Sequence, residues 1–286
     1  ETVCWISASK IVLSTFFYLS ALICYIQYMR NSKWQYLLAS VVSSILAMGC
    51  KEQSVIIVPC LLLFDWMLFK RNMRSLKVYI EKVYYLIPAI AIFIVTLVAN
   101  KNTGEEIIGY TIVDRFIFLC YSSFKYLLIS AIPFKLSYLY PFPFQVGEKI
   151  PMALWIYPFV ILFIGYVIYL NRRKPLLVFC TLFFILHLLP VLHVIPLPRY
   201  VVAADRYLYI PYIAFAIGLS ILSYHLYERQ RKWILYAGFL YCSYLCVYTA
   251  GYAPAWKNSD TLKEHFKEVL KKRETNLSIN FKHEKQ

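Results

Sequence analysis

The charges of this chain are sorted between its apolar runs, and that sorting limits the fold more than any other feature. Eight runs, 11–29, 34–49, 53–69, 79–99, 152–170, 175–195, 207–226 and 233–251, are 16 to 21 residues long. That is close to the ~20 residues needed to cross ~30 Å of hydrocarbon. The loops between them fall into two alternating sets. One set holds Arg30 and Lys33; Lys70, Arg71, Arg74, Lys77 and Lys82 against Glu81; Arg172, Arg173 and Lys174; and Arg229, Arg231 and Lys232 against Glu228, for a net +11. The other set, 50–53, 100–115, 134–151 and 196–206, carries seven positive and six negative side chains. Cytoplasmic loops collect Lys and Arg, so the first set is expected inside. The formal charge of +15 is then a topology signal, and the reading of a nucleic-acid footprint falls away.

The same bias decides a ninth segment. Residues 116–133 are apolar enough to cross, yet a crossing there would flip every later loop and put Arg172-Arg173-Lys174 outside. The segment also carries Lys125 mid-run, Asp114-Arg115 before it and Pro133-Phe134-Lys135 at its end. It reads as a re-entrant or interfacial amphipathic helix on the outer side. The expected fold is all-α: a polytopic transmembrane helical bundle of about eight crossings plus that one helix, with both chain ends outside the cytoplasm.

Composition fits a bundle. The chain is 60% hydrophobic with only 8 Gly, and its 26 Tyr and 20 Phe exceed what interfacial aromatic belts need. Low Gly with abundant Tyr, Phe, Ile and Lys points to an AT-rich bacterial genome, and so to a bacterial inner membrane. The eight Cys lie mostly within apolar runs and read as small buried hydrophobes. The chain opens inside a motif at Glu1 with no initiator Met, and is expected to be a fragment lacking earlier helices. Residues 1–251 form the membrane part. In 252–286, Leu262, Phe266 and Leu270 repeat every four residues with Val269 alongside, an amphipathic helix that Ser259 or Asp260 can cap. It reads either as a solvated terminal helix or as the first helix of a repeat array.

Candidate chemistry gathers in the electroneutral loops. Lys51-Glu52 sits in a tight turn between two runs, where charges are costly unless paired or met by a polar ligand. It reads as a local ion pair or as a lysine aimed at an anion. Ala204-Asp205-Arg206-Tyr207-Leu208-Tyr209 opens the run 207–226. Asp205 can fix the Arg206 guanidinium so that its other donors face a phosphate as a fork; the plainer reading is an interfacial, snorkelling arginine. His193, Arg199, Arg115 and Lys125 are supporting groups, and Tyr138, Tyr140, Pro141 and Pro143 form an extended aromatic strip. Asp65, beside Trp66, reads as a structural carboxylate at the inner end of its run that meets Arg71. No metal-ligand spacing, Gly-rich phosphate loop or Ser/His/Asp arrangement stands out.

These residues carry a resemblance. Glu1-Thr-Val-Cys-Trp-Ile-Ser-Ala-Ser-Lys-Ile-Val-Leu-Ser-Thr-Phe-Phe resembles a stretch of multi-spanning membrane proteins with C-terminal TPR repeats. Those proteins are similar to the protein O-mannosyltransferases of the GT-C superfamily. Lys51-Glu52 with Pro59 and Asp65-Trp66 resembles their K-E…P…D-[YW] segment. Tyr121-Ser-Ser-Phe-Lys-Tyr-Leu, Pro133, Leu136-Ser137 and Tyr140-Pro141-Phe142-Pro143 are similar to a further loop. Leu189-Pro190-Val191 with Ala204-Asp205-Arg206-Tyr207-Leu-Tyr-Ile-Pro211 resembles P-V…A-D-R-Y-x-Y-x-P, and Trp256-Lys257-Asn258-Ser259-Asp260-Thr261-Leu262 the lead into the repeats. The family's R-K-D triplet reads Ser9-Lys10-Ile11 here, without its carboxylate.

The resemblance implies transfer of a sugar from a polyprenyl-phosphate donor, held among membrane lipids, to an extracytoplasmic protein or glycan acceptor. Such an enzyme needs a cationic pocket for the lipid phosphate, a carboxylate to take the acceptor proton and an apolar groove for the lipid tail. Lys51, Arg206 and Arg199, with Asp205 as orienter, are the donor-phosphate residues. Glu52, His193, Arg115, Lys125, Tyr140 and Tyr209 support them, and Glu1 and Glu52 are weak candidates for the base. No metal and no cofactor beyond the donor substrate is implied. Two other classes stay open: a ligase or polymerase for lipid-linked glycans, and a non-catalytic membrane anchor presenting a TPR array.

Overall fold

A computed structural model describes residues 2–99, 110–134, 136–137, 140–192, 201–228, 233–258, 260–264 and 267. Among these residues the chain is all-helical, with no strand and one isolated bridge between Tyr140 and Ala203. The helices are α1 (Ser9–Asn31), α2 (Trp34–Cys50), α3 (Ile57–Met67), α4 (Leu76–Ala99), α5 (Ile112–Ala131), α6 (Ile156–Leu170), α7 (Pro175–Leu188), α8 (Pro211–Glu228) and α9 (Trp233–Tyr252). Every apolar run of the sequence becomes one of them. The run 53–69 is broken: Glu52–Ile56 is a 3-10 turn, and only 11 residues form α3, about 16 Å of α-helix.

Among the described residues, four helical segments are long and apolar enough to cross a membrane: Ile6–Asn31, Leu76–Ala99, Met152–Leu170 and Trp233–Trp256. Trp34–Cys50 and Pro175–Val191 are shorter apolar helices. The outer surface of the bundle is apolar. Neither α6 nor α9 buries a single residue, although Phe159, Leu162, Phe163, Phe239, Leu240 and Val247 are all large and exposed. An exposed apolar face of this extent is incompatible with water and suited to lipid. The chain is a membrane protein.

Side-chain pairs fix the relative senses of the helices. Ser14 Oγ donates to Ala47 O at 2.9 Å and Ser40 Oγ to Ala21 O at 2.7 Å, so α1 and α2 run antiparallel. The small residues at these crossings let the two backbones approach closely. Phe184 meets Phe215, and Gly218 faces the Cys180 Cβ at 3.8 Å, which sets α7 antiparallel to α8. His187, inside the bundle, joins Tyr18 Oη and Phe183 O, both at 2.8 Å. The loops 32–33, 68–75 and 171–174 gather at one end, the basic end. The start of α1, the turn 51–56, the residues 133–134, 136–137 and 140 after α5 and the segment 201–210 gather at the other, the electroneutral end.

The basic end is closed by buried charge. Asp65 is wholly buried. Its Oδ1 accepts from Tyr25 Oη at 2.5 Å, and its Oδ2 meets Lys82 Nζ at 2.6 Å and Arg71 Nη1 at 3.4 Å. Arg71 also binds Glu81 through both terminal nitrogens, at 2.6 and 3.2 Å, and Tyr28 donates to the same carboxylate at 3.1 Å. Lys82 donates to Tyr25 Oη at 2.5 Å. Two cations and two carboxylates thus annul one another where α1, α3 and α4 converge.

α5 starts at a capping box. Thr111 Oγ1 accepts from Asp114 N at 3.2 Å, and the Asp114 carboxylate accepts from Thr111 N at 2.8 Å. Its far end is received by α9, where Tyr241 donates to Ala131 O at 2.8 Å, Tyr244 to Pro133 O at 2.7 Å, and Tyr248 Oη accepts from Leu136 N at 3.0 Å. Three tyrosines on one face of α9 therefore satisfy backbone groups that the helix end leaves open. Beyond α9, Asn258 Oδ1 accepts from Thr261 N at 2.8 Å, so Asn258, rather than Asp260, caps the next turn; Ser259 lies outside the described residues. Phe266, Val269 and Leu270 lie outside the described residues.

Replacing Asp65 by Ala leaves Lys82 buried without its carboxylate, and should cost about 3–5 kcal/mol. The double variant Asp65→Leu with Lys82→Met should recover most of that loss. Thermal unfolding in detergent measures both; a single variant as stable as wild type would show that the cluster carries no stability.

Candidate functional site at the electroneutral end

The segment 201–205 is joined to the loop after α5 by backbone. Tyr140 N donates to Ala203 O at 3.1 Å, and Val202 N to Tyr140 O at 2.8 Å. Ala204 N reaches Tyr126 Oη on α5 at 3.3 Å. This brings Asp205, first residue of the 3-10 turn Asp205–Leu208, against the loop. One carboxylate oxygen accepts from Ser137 N at 3.1 Å and the other from Tyr140 Oη at 2.9 Å. Burial, then the charge of Asp205, pushes the Tyr140 phenol well above its ordinary range, so it remains a protonated donor. Lys125 Nζ lies over the Tyr140 ring, 4.9 Å from its centre.

Arg206 points elsewhere. Its guanidinium carbon sits 5.5 Å from the Trp5 ring centre and 5.1 Å from that of Tyr207, while Trp5 also meets Trp256 at 6.1 Å. Asp205 therefore holds Ser137 and Tyr140, and Arg206 lies over aromatic rings. A guanidinium over aromatic rings is held there by cation–π attraction.

Lys51 and Glu52 form the expected local pair, at 2.6 Å. Burial pushes Glu52 up, but the Lys51 charge and hydrogen bond, a backbone hydrogen bond and the Lys10 charge together hold it below its ordinary value of 4.5. The pair is tied to the start of α1 through Ser54 Oγ and Ser14 Oγ, 2.7 Å apart. Trp5 and Lys10 flank that start, so Glu52 and Arg206 lie at the same end of the bundle on either side of the N-terminal segment.

A cavity of about 310 Å³ opens beside Asp205, lined by Thr2, Ile129, Ser130, Pro133, Leu136, Asp205, Leu208, Tyr209 and Tyr212. It takes in Asp205 and Tyr209 from the expected set, but not Lys51, Glu52 or Arg206. Arg115 stands in the first turn of α5, ten residues and about 15 Å of helix from Lys125, and its buried Nε has no hydrogen-bond partner among the described residues. Glu1, His193, Arg199 and Tyr138 lie outside the described residues. No cluster of His, Cys, Asp and Glu among the described residues could hold a metal ion.

Trp5, Tyr126 and Ser137 stand within the segments that carry the resemblance, but no role falls to them in the sequence, and Ser130 has no sequence signal. The aromatic strip signals Tyr140 but not its partner, which is 65 residues away. Compared with protein-family models, with curated proteins and with solved structures, the chain finds no match.

Because the folded pKa of Glu52 is depressed, its contribution to stability is present above the unfolded value and lost as pH falls through the folded one. Glu52→Gln should therefore be less stable than wild type at neutral pH, with the difference closing below pH 4.5. Thermal unfolding across an acid pH series reads it; a gap that persists at the lowest pH would mean the carboxylate is not held by its charge.

Proposed function

We propose that this chain is a membrane glycosyltransferase that moves a sugar from a polyprenyl-phosphate donor to an extracytoplasmic protein or glycan acceptor. In this reading the chain crosses a bacterial inner membrane eight times with the electroneutral end outside, and residues 252–286 begin a TPR-like array. The observation that carries it is the coexistence at one bundle end of two cations held in place, Arg206 on Trp5 and Tyr207 and Lys51 on Glu52, beside a mainly apolar cavity with a fixed carboxylate. The resemblance in the A-D-R-Y and K-E segments points the same way.

In the transfer, the acceptor hydroxyl oxygen bonds the anomeric carbon as the bond from that carbon to the phosphate oxygen breaks. The electron pair leaves with the polyprenyl phosphate, and the acceptor proton passes to a carboxylate. Glu52, held ionised, and Glu1 are the candidates for that base. Charge grows on the phosphate as the sugar leaves, so the guanidinium of Arg206 stabilises the transition state more than the ground state. Lys51 and Arg199 would assist.

Arg206→Ala should lower turnover from a polyprenyl-phosphate sugar by about 1.5–3 kcal/mol, the size of a charged hydrogen bond, with Arg206→Lys intermediate because it loses the fork. The assay uses the full-length protein in detergent. Wild-type turnover in a folded Arg206→Ala protein would favour the non-catalytic anchor.

The position of α5 bears on the crossing count. The return loop runs back along α5: Tyr140 lies at Lys125, while Phe144 packs on Phe118 and accepts from Tyr110 Oη at 2.9 Å through its carbonyl. Irregular backbone alongside a helix is poorly tolerated in lipid, which supports α5 as a re-entrant or interfacial helix. New cysteines at Lys101 and Lys149, in a background without the native cysteines, should both react with an impermeant reagent from outside. Reaction of only one would make α5 a crossing.

A further inference from the structure

α3 and α7 pack through Phe64 and Phe179, whose ring centres lie 5.4 Å apart. Between the same two helices lies a groove of about 510 Å³. Leu62 and Trp66 line it from α3, Leu182 and Leu186 from α7, and Met73 from the loop 68–75. Every lining side chain is apolar, apart from the indole N–H of Trp66. Trp66 and Ile185, both on its wall, are exposed, so the groove opens on the outer surface of the bundle, where lipid lies. Hydrocarbon fits such walls and water does not.

The loop 68–75 adds charge at the basic end of this groove. Arg71 turns inward to Asp65 and Glu81. Lys70 before it and Arg74 after it are exposed, and neither enters an ion pair among the described residues. Lys70 follows the end of α3, whose last turn carries Trp66, and Arg74 follows Met73 directly. The loop that bears them is pinned. Arg71 N donates to Asp65 O at 2.9 Å, Arg74 N to Asn72 Oδ1 at 3.0 Å, and Tyr79 Oη to Met73 O at 3.0 Å. Lys70 holds a φ of 49°, in the left-handed region that helix ends usually give to Gly or Asn. An exposed lysine there carries a conformational cost with no packing to offset it.

The occupant must suit both halves. A neutral lipid fits the groove but gains nothing from the two cations, and a soluble anion meets the cations but not the groove. Basic groups beside helices at a membrane surface attract anionic head groups. We infer that the groove between α3 and α7 binds an anionic phospholipid of the leaflet at the basic end, with one acyl chain along the groove and its phosphate on Lys70 and Arg74. The bound lipid braces the loop that delivers Arg71 to the Asp65 cluster. The inference is independent of the glycosyltransferase reading, which concerns the opposite end of the bundle.

The test uses the full-length chain in phosphatidylcholine nanodiscs with rising fractions of phosphatidylglycerol brominated on its acyl chains. Bromine quenches tryptophan fluorescence on contact, and the Trp66 signal is the difference between wild type and Trp66→Phe. Half-quenching of that signal should need about tenfold less brominated phosphatidylglycerol than brominated phosphatidylcholine, within what two surface Lys/Arg supply. Lys70→Asn with Arg74→Gln should abolish the preference, since Asn tolerates the left-handed backbone. Arg30→Gln with Lys33→Gln removes the same charge from the end of α1 and the loop after it, and should leave the preference intact. Thermal unfolding is the second readout: phosphatidylglycerol should raise the Tm of wild type and not that of the Lys70/Arg74 variant. Equal quenching of Trp66 by the two lipids, or quenching confined to the other tryptophans, overturns the inference. So does a preference that survives the Lys70/Arg74 change, or one lost equally in the Arg30/Lys33 variant, which would mean diffuse surface charge and no site.

Discussion

A carboxylate buried in an apolar bundle is the constraint from which the rest of the arrangement follows. Asp65 cannot stay ionised there alone, since the effective penalty for an unpaired buried ion is several kcal/mol. It is matched by Lys82 from α4, Tyr25 from α1 and Arg71 from the loop between α3 and α4. Those three elements must therefore meet at one point. With the lower end of α3 fixed there, and α3 only 11 residues long, its upper end falls where the 3-10 turn carrying Glu52 can reach α1 through Ser54 and Ser14. A lock at the basic end thus sets the place of a charged pair at the other.

The same cluster shows what a linear reading of charge leaves out. Lys82, Arg71 and Glu81 count as loop charges when read along the chain, and the Asp65–Arg71 meeting is legible because both stand at the end of one run. Lys82 and Glu81 already stand at the start of the run 79–99, yet they count with the loop before it; what is not legible is that they turn inward to meet Asp65 and Arg71. Folded, the four charges cancel, and Lys70, Arg74 and Lys77 are left to carry the bias of that loop. The sign of the asymmetry survives, so the alternating order of loops holds even though its arithmetic changes. The break of the run 53–69 into a turn and a short helix had no apolar signature either: Val55, Ile56 and Ile57 are equally at home in both.

Helices were the legible part because hydrophobic length is a local property. The site was less so, because its joints are long-range. Asp205 and Tyr140 are each conspicuous in sequence, but their contact depends on a two-residue backbone bridge between segments of irregular structure. The tyrosine excess has a partial structural account: Tyr241, Tyr244 and Tyr248 of α9 use their hydroxyls on the backbone at and just beyond the end of α5, where an aliphatic residue would leave those groups unmet. Ser130 carries no signal at all. Whether a serine in an apolar helix bonds back to its own turn depends on its rotamer and neighbours, not on its spacing.

The two ends of the bundle therefore differ in kind. At the basic end, each charge of the Asp65 cluster meets an opposite one within the protein, and a ligand there would have to break a bond already made. At the electroneutral end, a carboxylate ties backbone and a phenol together, a guanidinium lies over rings, and the buried Ser130 hydroxyl has no hydrogen-bond partner among the described residues. Burying a hydroxyl without a partner lowers stability and gains nothing for the fold alone.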